Sequence, residues 1–271
     1  LPNLESKKYM SKLLVFGNEK GGAGKSTLSM HVACALLQSG IKVGVLDLDI
    51  RQLTLCRFFE NREENLKRNN YILPIPSIGK IDPHRTKHVK EYFYELITEL
   101  SKENDYIIID CPGALTDYSA LAHANADKLI TPMNDSFIDF DLLARIDPET
   151  NTVKGPSIYS EMVWEARKAR SLAKAPPIDW IVVRNRLPTT NMHNKRKVGE
   201  ALVNLSKRIG FRLIPGLSDR VIFKELFPKG LTLADPKNLT KLPISISNIA
   251  ARQELRDIMV GLKLNNFQIN F

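Results

Sequence analysis

An apolar run, KLLVFG (12–17), leads straight into GNEKGGAGKST (17–27), and an apolar helical stretch begins near Ser26. A strand, a glycine-rich loop and a helix in that order leave few folds open. Gly21, Gly22 and Gly24 let the backbone approach a ligand closely and aim its N–H groups at an anion. The helix that follows adds the positive end of its dipole. Gly24, Lys25 and Ser26 fit the end of the phosphate-loop consensus G-x-x-x-x-G-K-[ST]. Its first glycine is missing: Glu19 stands there, and Lys20 follows it. By the motif, Lys25 reaches β- and γ-phosphates and the Ser26 hydroxyl holds Mg²⁺, with Ala23 and Thr27 completing the cradle. ATP and Mg²⁺ are the cofactors expected. What a second lysine adds is the question this loop poses.

Further β-branched runs follow: KVGVLDLD (42–49), DYIIID (105–110), KLITPM (128–133), DWIVVRN (179–185) and FRLIP (211–215). Helical stretches at roughly 51–68, 86–103, 116–124, 158–173, 192–209 and 247–264 separate them. Near-continuous apolar strands alternating with helices predict one α/β domain over residues 1–271. Its sheet is doubly wound and mainly parallel, with ligands at the carboxyl ends of the strands. Residues 70–85 and 147–157 are rich in turn-forming residues and read as surface loops.

Two of these strands end in acid. Asp47 and Asp49 are two residues apart, so they share a face beside the phosphate loop. Carboxylates there hold Mg²⁺ waters or orient an attacking water, or they cap a turn. In YIIIDCPG, Asp110 closes an apolar strand where a carboxylate holds Mg²⁺ through a bound water, and Gly113 permits a loop movement near the γ-phosphate.

KGGAGKST, DLD and IDCPG together resemble the deviant phosphate loop and partner motifs of the ParA/MinD ATPases. TPMNDSFIDFDLL, DWIVVRNRLPTT and RVIFKELFPKGLTL extend the likeness over most of the chain, toward the MipZ-type ATPases that position the bacterial division site. Cys111 departs from the family's usual threonine. The resemblance implies a nucleotide-sandwich homodimer in which Lys20 reaches the partner's ATP, like an arginine finger delivered in trans. It also implies that Asp49 positions the hydrolytic water, with slow regulatory turnover. It implies that Asn185 lies against the adenine edge, although a strand-end asparagine equally caps a turn, and GLSDR (216–220) would wall the base. The partners it implies are a ParB-like protein and FtsZ, whose assembly it would inhibit.

Charge points to a polyanion. The net charge is +9, and residues 181–230 hold eleven Lys/Arg against three acidic residues, a surplus of eight. On a helix over 191–209, Val198, Ala201, Leu202, Leu205 and Ile209 share one side. Arg196, Lys197, Lys207 and Arg208 occupy or flank the other, and Arg220 and Lys224 extend the patch from the next helix. Such a face meets DNA phosphates without reading bases. With no aromatic residue among the charges, non-specific double-stranded DNA is the expected partner.

Other readings make different demands. An iron–sulfur electron-transfer protein on this scaffold needs cysteine thiolates exposed at the dimer face. Cys34, Cys56 and Cys111 show no metal-ligand spacing. A membrane switch needs a basic amphipathic C-terminal helix, whereas NNFQINF (265–271) is short and uncharged. A ParA-type partitioning ATPase remains the nearest alternative. The expected setting is a reduced, cytoplasmic, nucleoid-associated one, without a membrane.

Overall fold

The computed structural model describes residues 11–82, 84–85, 87–134, 137–146, 153–185, 192–240 and 245–271. Its strands are β1 (Lys12–Phe16), β2 (Val43–Asp47), β3 (Ser77–Gly79), β4 (Tyr106–Asp110), β5 (Lys128–Asn134), β6 (Ala144–Ile146), β7 (Val153–Pro156), β8 (Asp179–Asn185) and β9 (Arg212–Pro215). Its helices are α1 (Lys25–Gln38), α2 (Thr54–Asn69), α3 (Val89–Ser101), α4 (Asp117–Asn125), α5 (Ile158–Leu172), α6 (Met192–Ile209), α7 (Ile222–Leu226), α8 (Lys237–Thr240) and α9 (Ile246–Leu262).

Seven strands form one sheet in the order β3-β2-β4-β1-β5-β8-β9, and every pairing is parallel. Consecutive side chains of each central strand enter opposite cores, which explains the unbroken apolar runs. Leu14, Phe16 and Ile108 pack with α1, α2 and α9. Leu13, Val15, Ile107 and Ile109 pack with α3, α4, α5 and α6. The product is a three-layer α/β/α sandwich with a doubly wound sheet.

The two stretches read as loops hold short strands. Ser77–Gly79 adds an edge strand to β2, and Val153–Pro156 pairs antiparallel with Ala144–Ile146. Pro74 and Pro76 precede the first, and proline cannot donate to a ladder, so the segment has a loop's composition while three residues still pair.

Register sets up the site. Phe16 pairs with Asp110, and Asp110 pairs with Asp47. The phosphate loop therefore leaves β1 beside two adjacent strand-end carboxylates.

Candidate nucleotide site

Gly24 caps α1 in the left-handed region, with φ of 86°, and no side chain caps the helix. A Cβ at Gly24 would meet Asn185 Nδ2 at 2.3 Å, so both conformation and space call for glycine. No acidic residue stands in the first turn of α1. The helix thus begins with backbone donors that no side chain satisfies, the arrangement that binds anions. Gly21 and Gly22 are exposed at its mouth, while Ala23 is buried. Thr27, one turn into α1, is half-buried.

Lys25 points inward, is only 8% exposed, and its Nζ donates to the Lys20 carbonyl at 2.9 Å. Burial lowers its pKa, and Asp110, Cys111 and Asp49 oppose that. Asp110 is buried, and the Ser26 hydroxyl bonds its carboxylate, while Oδ1 has no hydrogen-bond partner. Burial first, then repulsion from Asp47, pushes its pKa up to about 8. An orphaned carboxylate oxygen beside a serine and a lysine fits a hydrated Mg²⁺ and phosphate, because a cation there removes the cost of the buried charge. Ser26 and Asp110 are the residues that would hold the metal, and Lys25 with the amides at the start of α1 the phosphates. ATP fits the residues present.

Asp47 and Asp49 divide their roles. The Asp47 carboxylate accepts from the backbone N–H groups of Asp49 (3.0 Å), Leu55 (2.9 Å) and Cys56 (3.3 Å). It ties down the β2–α2 turn and caps the start of α2 from a distance, as the turn-capping alternative expects. Asp49 lies in the turn beyond β2, half-buried, and accepts from Gln52 N at 3.2 Å. It remains within electrostatic reach of Lys25.

The loop after Asp110 leans on the phosphate loop. A Cβ at Gly113 would stand 3.2 Å from Gly21 N, so only glycine permits this contact without a shift. Lys20 faces elsewhere. Its Nζ donates to Asp139 Oδ1 at 3.1 Å with the side chain 36% exposed, and Asp139 Oδ2 accepts from Asn134 N at 3.1 Å. Nothing in the spacing of the sequence marks Asp139, which lies 119 residues from Lys20.

Asn185 is 3% exposed, donates from Nδ2 to Ala23 O at 2.8 Å, and accepts from Leu217 N at 3.0 Å. It joins the phosphate loop to the wall segment instead of presenting both amide ends to a base. Beside it opens a cavity of about 300 Å³ lined by Gly24, Thr27, Asn185, Leu217, Phe223 and Phe227, among others. The GLSDR segment forms part of its wall.

Arg220 and Lys224 also line this cavity. Arg220 precedes α7, and its guanidinium donates to Glu254 at 2.6 Å and to Ser247 at 2.8 Å. The structure thus places Arg220 at the nucleotide pocket, already ion-paired, and not on the helix expected to extend a DNA patch. Arg212, another cation of the basic stretch, pairs with Asp179 at 2.7 Å. On α6, Leu202 and Leu205 are buried, while Lys207 and Arg208 are exposed. The side chains of Arg196 and Lys197 lie outside the described residues. Cys34, Cys56 and Cys111 are all buried, so no thiolate among them stands at the surface. No helix of the described residues is long and apolar enough to cross a membrane.

Residues 12–266 match the family described as ATPase MipZ. The septum site-determining protein MinD of Thermotoga maritima is 24% identical over 255 residues, covering 78% of this chain and 93% of the relative. A Cyanothece McdA–ATP complex is similar in structure, with a TM-score of 0.60 at 18% identity, covering 96% of this chain and 99% of that one. So is the septum site-determining protein MinD complexed with Mg-ADP from Pyrococcus horikoshii, with a TM-score of 0.55 at 18% identity, covering 94% and 100%. At such identities the two structures speak for the fold, and the family match speaks for the activity. The chain belongs to the MipZ family of ATPases.

Proposed function

We propose that this ATPase is a dimerising switch, a single domain over residues 1–271. With ATP bound it associates with duplex DNA without reading sequence and regulates placement of the division site from the cytoplasm, on the nucleoid. The observation that carries the reading is the division of labour between two lysines. Lys25 is buried inside its own loop, whereas Lys20 is held at the rim by Asp139. A lysine so placed is available to a second subunit's phosphates more readily than to its own. Ile50, Leu53 and Leu115, in the segments that follow Asp49 and Asp110, expose apolar side chains. An apolar surface beside a polar mouth suits a second copy of the chain.

Mg²⁺, when bound, supplies charge neutralisation at the β- and γ-phosphates. Lys25 and the amides of α1 bind the phosphates, Lys20 of the partner adds charge only in the dimer, and Asp49 orients water. Turnover is slow because the charge-stabilising group arrives only on assembly. By family likeness the regulated partners are a ParB-like protein and FtsZ.

Sedimentation with ADP, ATP and a slowly hydrolysed analogue tests the switch. Dimers are expected with ATP and the analogue alone, and Asp49→Ala should hold ATP as a long-lived dimer with little hydrolysis. ATP-independent dimers, or no dimers in any state, overturn the reading. FtsZ light scattering separates the roles, because a division regulator lowers polymer mass with ATP and a partitioning ATPase leaves it unchanged.

A further inference from the structure

The wall of the cavity beside the phosphate loop is not held by its own segment. Glu254, in the last helix, reaches across 34–36 residues and binds two positions of the wall at once. Its carboxylate accepts from Ser218 N at 3.0 Å and Ser218 Oγ at 2.8 Å. It also accepts from Arg220 Nη2 at 2.6 Å, and Arg220 Nη1 donates onward to Ser247 Oγ at 2.8 Å. The neighbouring Leu217 is pinned by Asn185, which in turn holds Ala23 of the phosphate loop. A continuous chain of bonds therefore runs from the phosphate loop, through Asn185 and the wall, to α9.

This arrangement does more than tether a helix. Arg220 lines the cavity, so Glu254 fixes a planar cation at the edge of a space whose other walls include Leu217, Phe223 and Phe227. An aromatic base is attracted by a guanidinium nearby and by apolar walls. A wall already ordered before binding removes an entropy cost that the ligand would otherwise bear. The ion pair is also well shielded, with the Arg220 and Glu254 side chains 15% and 21% exposed. Burial alone would raise the Glu254 pKa, but the Arg220 and Ser218 hydrogen bonds outweigh it and hold the group below the usual carboxylate range.

We infer that Glu254 is the positioning residue of the base pocket, holding residues 218–220 as its wall and Arg220 at its edge. The last helix thereby sets affinity for the base half of a nucleoside triphosphate without touching the phosphates. The inference rests on the reading of the loop as the nucleotide site, and Arg220 belongs to that pocket and not to the DNA surface.

The test is competition against a fluorescent ATP analogue, with ATP and inorganic tripolyphosphate as the two competitors. Removing a charge-assisted bond in a shielded site predicts a loss of about tenfold in ATP affinity for Glu254→Ala. Tripolyphosphate, which has no base, should bind this variant within about twofold of the parent. Glu254→Gln keeps an acceptor for Ser218 but not the charge for Arg220, and should fall between. Arg220→Ala should weaken ATP in the same direction while keeping the Ser218 bonds, and the double variant should lose less than the two single losses combined, because both variants remove the same Arg220–Glu254 contact. Unchanged ATP affinity in Glu254→Ala, additive losses in the double variant, or equal losses of ATP and tripolyphosphate would each overturn the inference. Failure of the nucleotide-site reading looks different: Lys25→Ala would then keep its affinity for both competitors.

Discussion

The loop's two lysines differ by five positions and by whole environments, and the consequences separate at the level of single side chains. Lys25→Ala removes the buried cation of the cradle, so ATP affinity should fall by about 100-fold, the upper range for a charged hydrogen bond. Equilibrium titration with a labelled nucleotide measures this, and unchanged affinity would disqualify the loop. Lys20→Ala should leave monomer ATP binding intact while abolishing the ATP dimer. Asp139→Ala should act in the opposite direction. The Lys20–Asp139 pair is partly exposed and worth at most about 1 kcal/mol, so removing that one contact from both subunits of a dimer favours assembly by up to roughly 30-fold. Sedimentation in which Asp139→Ala dimerises more weakly than the parent would show that the contact supports assembly instead of competing with it. In sequence, the loop and its two flanking acidic strands were legible, because each is local and carries its own spacing. Asp139 was not, since only the fold brings it to Lys20, and Asp47 looked like a twin of Asp49 until its three backbone partners became visible.

Elements were legible in proportion to how much their pattern depends on the core. All six strands read from apolar runs occur, and α6 buries the Leu202 and Leu205 face that its period predicts. The edge strand Ser77–Gly79 escaped because prolines precede it and its pairing needs only three residues. The charge count misled in a similar way, since Arg212 and Arg220 belong to the basic stretch but are held by Asp179 and Glu254. A fully buried pair shows what such bonds do for packing. Arg62 of α2 and Asp235 lie at 2.7 Å with both side chains fully buried, and Thr232 and Gln38 also bind the carboxylate. Asp235→Ala leaves an unpaired guanidinium inside the protein and should cost about 3–5 kcal/mol, readable by urea unfolding. Burial alone would raise the Asp235 pKa, but Arg62 outweighs it and the net shift is downward. Its contribution is therefore present above the ordinary carboxylate range and disappears as pH falls through the lower folded value. A loss below about 1 kcal/mol in Asp235→Ala would mean that the site repacks or hydrates.

At the scale of the whole molecule, the proposed switch would join the nucleotide site to the basic helix through assembly. Lys207 and Arg208 are exposed near the end of α6, and Arg196 and Lys197 precede them by eleven residues, about 17 Å along the helix axis. A face of that length spans only a few phosphates, so one monomer should hold duplex DNA weakly at cellular salt, where counterion release favours dissociation. A sandwich dimer carries two such faces on one particle. The second then binds at a raised effective concentration, and avidity can rise by roughly 10²–10⁴ with no new contact. ATP would therefore govern residence on DNA through Lys20, without lying near DNA. The slope of log affinity against log salt reads the number of phosphate contacts, at about 0.9 per contact on duplex DNA. Changing Lys207 and Arg208 to Ala removes up to two contacts per subunit and should make the dimer's slope shallower by up to about 3.6. Arg196 and Lys197 changed together should do the same, with ATP dimers preserved in both cases. Arg220→Ala, assayed at saturating ATP, should leave the slope where it was, because its guanidinium is bound to Glu254. Equal DNA affinity for the ADP monomer and the ATP dimer, or a slope that ignores both pairs of substitutions, would remove α6 as the DNA face and leave dimerisation without a role in DNA residence.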